Sequence, residues 1–204
     1  MIRLYRAPWS TNVERVALAL AQKGVEAPPP WIDYADRSLV EEVSGQPLVP
    51  VIDFDGEIVF DSTRILRRLE ELHPEPPLFP TDPSVRAELE IFLEWFDEVW
   101  KGPPNEIEAE LAKPEPDAAR IEALAGSMIE SLDGFERMLA GHDYLMGDEL
   151  TAADLCAFPF LKFAALHDPA DDELFHVILR DHQRDRVRPR LNAWIGRVDG
   201  RPRA

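Results

Sequence analysis

The sequence predicts a small α/β domain followed by an all-helical one. Three observations carry this. A strand-then-helix pattern opens the chain, an Asp-Gly hairpin lies within residues 51–60, and every periodic segment beyond a proline-dense stretch at 74–80 has helical spacing.

Ile2–Tyr5 alternates apolar and polar side chains, as a short half-buried strand does. Val13, Val16, Ala17 and Leu20 then fall on one helical face, and the pattern ends at Gly24. The segment Pro28-Pro29-Pro30-Trp31-Ile32 reads as extended. Its prolines cannot donate to a ladder, so it is expected on a sheet edge. Val51–Phe54 and Glu57–Phe60 flank Asp55-Gly56, whose residues accept the positive φ angles of a type I′ turn. Asp61-Ser62-Thr63 opens a helix with Ile65, Leu66, Leu69 and Leu72 on its apolar face, stopped by His73-Pro74. The order is β-α-β-α-β-β-α. The proline-dense stretch reads as a semi-rigid linker, giving domains at 1–75 and 84–204 joined by 76–83. Asp82 with Pro83 starts a helix expected to reach Trp100, where Gly102-Pro103-Pro104 breaks it. Further helices are expected at about 116–140, 151–165, 172–182 and 187–198. Thr151 and Asp154 form a capping box, with Leu150 and Leu155 at its staple positions.

A formal charge of −17 argues against nucleic acid or an anionic membrane as partner, since both are held by Lys and Arg. The first 78 residues carry 8 basic and 13 acidic side chains and the rest 14 and 26, so the acidity is mostly that of a solvated helical surface. One cysteine, Cys156, excludes an internal disulfide and Cys-x-x-Cys redox chemistry, and it reads as a buried apolar residue. The five histidines have no ligand-like spacing, so no metal is expected. No apolar run approaches the ~18–20 residues needed to span a bilayer, and the chain reads as cytoplasmic.

With Val49-Pro50 ahead of the hairpin and an all-helical second half, the chain resembles the cytosolic glutathione transferase superfamily. The segments Leu78-x-Pro80-x-Asp82-Pro83-x-x-Arg86-Ala87 and Pro189-x-Leu191-x-x-Trp194-x-x-Arg197 look like that superfamily's habitual ones, as does the capping box. The resemblance implies a thioredoxin-like first domain with a mixed four-stranded sheet. It also implies a homodimer and glutathione as co-substrate against a small hydrophobic electrophile.

The resemblance further implies a cis Val49-Pro50 peptide that leaves the Val49 backbone to pair with the cysteinyl backbone of glutathione. Asp61 and Ser62, at a helix start whose N–H groups favour a carboxylate, would hold the γ-glutamyl end. By itself Asp61 reads as a plain helix cap, and it is Val49-Pro50 a dozen residues upstream that turns the reading to a ligand. Alignment of Glu14-Arg15-Val16 with the first helix of the tau and omega classes puts Ser10 at their catalytic position, in the serine type. A hydroxyl donating to the sulfur lowers the thiol pKa from near 8.5, and a nearby helix N-terminus acts in the same direction. Thr11 and Glu14 read as a capping box for that helix, which would leave Ser10 for the ligand. Thr11 and Tyr5 are alternative donors, and Asn12 would orient the thiolate. Where the family often carries Lys, Arg or Gln for the glycyl carboxylate this chain has Leu48, for which Gln46 is a partial substitute. Trp9 and Trp100 are the expected lining of the electrophile pocket. The competing class is a binding or regulatory protein on the same fold, which Leu48 favours. Glutathione binding discriminates the two.

Overall fold

The computed structural model describes residues 1–204 and divides into two compact units, Met1–Pro80 with Gly200–Ala204, and Thr81–Asp199.

The first unit is built on a three-stranded antiparallel sheet, β1 (Ile2–Tyr5), β2 (Val51–Phe54) and β3 (Glu57–Phe60), in the order β1-β2-β3. Tyr5 stands opposite Val51, and Val51 opposite Phe60. Asp55 and Gly56 take φ of 58° and 103°, the two left-handed residues that the hairpin requires. The expected edge strand at 28–32 is reduced to one parallel bridge between Arg6 and Trp31. Its bonds run from the Arg6 amide to the Pro30 carbonyl at 3.2 Å and from the Ile32 amide to the Arg6 carbonyl at 2.8 Å. Three successive prolines supply no N–H, so no longer ladder can form there.

Helices α1 (Thr11–Gln22), α2 (Ser38–Ser44) and α3 (Ser62–Leu72) complete this unit. Val16, Leu18 and Leu20 of α1 and Ile65, Leu66 and Leu69 of α3 are buried, each worth about 1.5–3 kcal/mol against exposure. Leu72, expected on the same face, is the last residue of the helix and stays exposed. The stretch expected to act as a linker is packed: Leu78 and Phe79 are buried. A fully buried Lys23 side chain bonds both Glu70 and the Pro76 carbonyl, while Glu70 accepts from the Leu78 and Phe79 amides.

The second unit is helical: α4 (Pro83–Trp95), α5 (Gly102–Leu111), α6 (Ala118–Met138), α7 (Ala152–Leu161), α8 (Leu174–Gln183) and α9 (Pro189–Asp199). A π-helical turn, Phe96–Trp100, continues α4. The helix ends at Trp100 as expected, and Gly102-Pro103-Pro104 also opens α5, a helix not among those expected. A proline in the first turn gives up an N–H that has no intrahelical partner there, and its fixed φ suits a helix start.

The capping box at α7 is formed as expected. Thr151 Oγ1 accepts from the Ala153 amide, and Asp154 Oδ2 accepts from the Thr151 amide at 2.9 Å. Asp154 does more than the sequence suggests. Its Oδ1 also accepts from the Leu145 amide at 2.9 Å and from Trp194 Nε1 at 2.8 Å, so one buried carboxylate ties the loop before α7 to α9. Burial pushes its carboxyl up, and these donors pull against that push.

A second charged joint lies at the start of α9. Arg188 donates to Asp133 Oδ1 at 2.8 Å and Asp185 Oδ1 at 2.6 Å, and Arg186 also bonds Asp133. Arg186 and Arg188 hold Asp133, and Arg188 holds Asp185, below the usual carboxylate range. The folded state therefore binds these protons less tightly than the unfolded chain. The joint's contribution is complete above the unfolded carboxylate pKa of about 4 and is lost as pH falls through the lower folded values. Urea titrations of wild type and Arg188→Gln across that range should show the variant losing less stability on acidification, from a lower starting value at neutral pH.

Candidate functional site

The first unit brings two helix starts together. Ser10, half-buried, is the N-cap of α1: it has extended φ and ψ of −76° and 112°, and its Oγ accepts from the Val13 amide at 3.3 Å. This corrects the expectation that Thr11 and Glu14 cap the helix. Thr11 is the first helical residue and is buried, and Glu14 lies one position too far along to return the bond. Ser10 is thus not spare for a ligand. A hydroxyl that accepts nevertheless keeps its own hydrogen to donate, so capping and donation to a sulfur are compatible. Asn12 sits half-buried in the first turn, and Tyr5 is buried in the core with Ile32, Val40 and Val51.

The second start is α3. Asp61 is its N-cap, exposed, with Oδ1 accepting from the Arg64 amide at 2.9 Å. Ser62, buried, accepts from Arg15 Nη1 at 3.2 Å. Arg15 is itself fully buried on α1, so this bond links the helix that Ser10 caps to the one that Asp61 caps. Arg15 was not among the expected site residues. A long-range bond between an arginine and a serine 47 positions apart leaves no local pattern, and only the presence of a charged residue on an otherwise apolar helix face hints at it.

Backbone geometry sets the same places apart. Only three non-glycine residues have positive φ: Asp55 in the hairpin turn, and Trp9 (62°) and Asp61 (71°), the latter two at the entries to α1 and α3. Side chains rarely adopt such angles, and they persist where the surroundings hold them, often at functional sites.

The Val49-Pro50 peptide is cis. Val49 precedes the sheet register, which begins at Val51. Upstream, Leu48 is 64% exposed, and Gln46 is folded onto its own loop. Gln46 Nε2 donates to Ser44 Oγ at 2.9 Å and to the Leu48 carbonyl at 3.0 Å, and its Oε1 accepts from the Leu48 amide at 2.7 Å. With both ends of its amide engaged within the loop, Gln46 is poorly placed to replace the missing carboxylate partner.

Of the two tryptophans expected to line a substrate pocket, Trp9 is exposed and Trp100 is not. Trp100 stacks on Phe96 with centroids 4.6 Å apart, its Nε1 donates to Ser131 Oγ at 2.9 Å, and Phe135 and Phe160 meet it edge-on. Its ring is core of the second unit, and offers a ligand almost no surface. That unit carries a largely apolar cavity of about 620 Å³ lined by Val85, Ile91, Phe92, Trp95, Met138 and Leu145 among others. Cys156 is buried, as expected.

Family comparisons match both units. Residues 4–77 match the N-terminal domain of glutathione S-transferase, and residues 118–197 match its C-terminal domain. Glutathione S-transferase 3 of Zea mays is 31% identical over 166 residues, covering 75% of this chain and 73% of its own length. The chain belongs to the glutathione S-transferase superfamily. Among relatives of this transferase-family chain, protein LigF of Sphingobium is 25% identical over 98% of the chain and 90% of its own length. FtsZ-localized protein A of Caulobacter vibrioides is 28% identical over 78% and 75%. The crystal structure of a glutathione S-transferase from Rhodospirillum rubrum superposes with a TM-score of 0.74 at 26% identity, over 99% of this chain and 89% of that one. The thioredoxin-like first domain and the helical second domain are thus those of the transferase fold.

Proposed function

We propose that this chain is a glutathione transferase in which Ser10 activates the thiol of glutathione for attack on a small hydrophobic electrophile. In this reading the Ser10 hydroxyl donates to the cysteinyl sulfur, stabilising the thiolate that forms when the thiol proton leaves to solvent. The positive end of α1 adds to that stabilisation. Val49 supplies backbone pairing, Pro50 fixes its direction, and Asp61 and Ser62 receive the γ-glutamyl end, with Asn12 beside the sulfur. The observation that carries the reading is the Arg15–Ser62 bond, because it couples the helix start that would hold the thiol to the one that would hold the tripeptide's charged end. Trp9, exposed beside Ser10, is the better candidate of the two tryptophans for the electrophile side. A cytoplasmic homodimer completes the proposal, supported by the exposed Ile91 and Val99 on and after α4 and by the cavity that Ile91 lines.

A second reading has its own support. Leu48 offers no charge to a glycyl carboxylate and Gln46 is committed to its loop, which favours a binding or regulatory protein that keeps the fold without catalysis. Calorimetric titration with glutathione separates the two. Saturable binding at micromolar to low millimolar concentration is the expected result, and no heat up to several millimolar moves the assignment to the second reading or to another thiol.

A further inference from the structure

The tail Gly200–Ala204 belongs to the first unit, not to the helical unit that precedes it in sequence. It follows α1 along its length. Arg201 Nη1 donates to Gln22 Oε1 at 3.2 Å near the helix end, and the Ala204 amide donates to the Ala17 carbonyl at 3.1 Å in the middle. Arg203 meets Glu14 in the first turn, with Nη2 2.9 Å and Nε 3.3 Å from the same Oε1. Arg6, directly after β1, closes the strap. It is buried with its guanidinium 5.6 Å from the Trp31 ring centroid, and it donates from Nη1 to the Ala204 carbonyl at 2.7 Å and from Nη2 to the Ala27 carbonyl at 2.8 Å.

The Arg203 side chain carries the strap to the first turn of α1, next to the candidate thiol site. The Glu14 amide donates to the Ser10 carbonyl at 3.0 Å, so the Glu14 side chain rises one turn from Ser10. An uncompensated carboxylate there would repel a thiolate held at Ser10. The charged groups at this end are Glu14 and Arg15 on α1, Asp61 and Arg64 at the start of α3, and Arg203 on the tail. Arg15 is turned into the core toward Ser62, and Arg203 is set directly on Glu14.

We propose that the tail is a positioning element of the Ser10 site: it straps α1 in place, and Arg203 neutralises the Glu14 carboxylate in the first turn after Ser10. This rests on Ser10 being the thiol donor. Arg203 touches no reacting atom and acts through Glu14.

The test places a reporter at the site. In S10C the pH dependence of alkylation reads the thiol pKa at position 10 without any glutathione, and Cys156 is buried and stays silent. A unit charge roughly 8 Å away, with water between, is worth about 0.4 pH unit. S10C/R203E, which removes one positive charge and adds a negative one, should therefore titrate about 0.5–0.8 unit higher than S10C at low salt. The swap S10C/E14R/R203E, which restores a neutral pair with its cation now on α1, should return the value to that of S10C or slightly below it. In about 1 M salt, where the screening length is ~3 Å, most of the difference should vanish. A tail that only braced the fold would lower the melting temperature of S10C/R203E with neither the salt dependence nor the rescue. Equal titration of S10C and S10C/R203E at low salt, both folded by circular dichroism, overturns the proposal. A parallel titration of wild type with glutathione keeps the two claims apart. If the reporter shifts while glutathione does not bind, the role of the tail stands and the transferase assignment falls. If glutathione binds while the reporter does not shift, the reverse holds.

Discussion

Replacing Ser10 with alanine should lower turnover of glutathione with a model electrophile by at least about tenfold, the equivalent of one hydrogen bond's worth of transition-state stabilisation. The same change should raise the apparent pKa of the bound thiol toward that of the free one, since the alanine offers no hydrogen to the sulfur. Because Ser10 also caps α1, the variant should lose about 1 kcal/mol of stability, and the two effects must be separated. Ser10→Asn is the control. It restores a capping oxygen without restoring a hydroxyl donor at that position, so its stability should recover more than its rate. An alanine variant that binds glutathione and turns over at the wild-type rate removes Ser10 from the mechanism and leaves Thr11 or Tyr5 to be tested in its place.

The largest effect on stability is expected at Asp154. Its carboxylate accepts from the Leu145 and Thr151 amides, the Thr151 hydroxyl and the Trp194 indole in a site sealed from solvent. Asp154→Ala leaves all of these donors buried without their acceptor and should cost about 3–5 kcal/mol, whereas Thr151→Ala removes one cap and should cost about 1. Urea unfolding followed by near-ultraviolet circular dichroism, to which buried Trp194 contributes, would measure both. Equal losses for the two variants would mean that the carboxylate acts only as a cap.

The contrast between these residues shows what the sequence made legible. Local chemistry read well: Asp55-Gly56 marks its hairpin because few residues tolerate two positive φ angles, and Thr151 with Asp154 marks a helix start because the two bond partners are three residues apart. The errors fall where two local rules competed or where the partner was distant. At α1, Ser10 and Thr11 are both good caps, and burial of the Thr11 side chain decided for Ser10. At α5, Gly102-Pro103-Pro104 suits a stop and a start equally, and the structure uses it as both where only the stop is expected. Trp100 is expected from the sequence to line the electrophile pocket, but Ser131 and Phe135 on α6 claim it for the core. Arg15 to Ser62, Asp154 to Trp194 and Arg203 to Glu14 join residues far apart in the chain, and no periodicity reports such pairs.

The central claim is that the first unit binds glutathione as its thiolate. It is tested most directly by titrating the ultraviolet thiolate absorbance of glutathione at saturating wild-type protein. The account predicts an apparent pKa clearly below the ~8.5 of a free cysteinyl thiol, rising again in Ser10→Ala. Bound glutathione that titrates like the free tripeptide would contradict it.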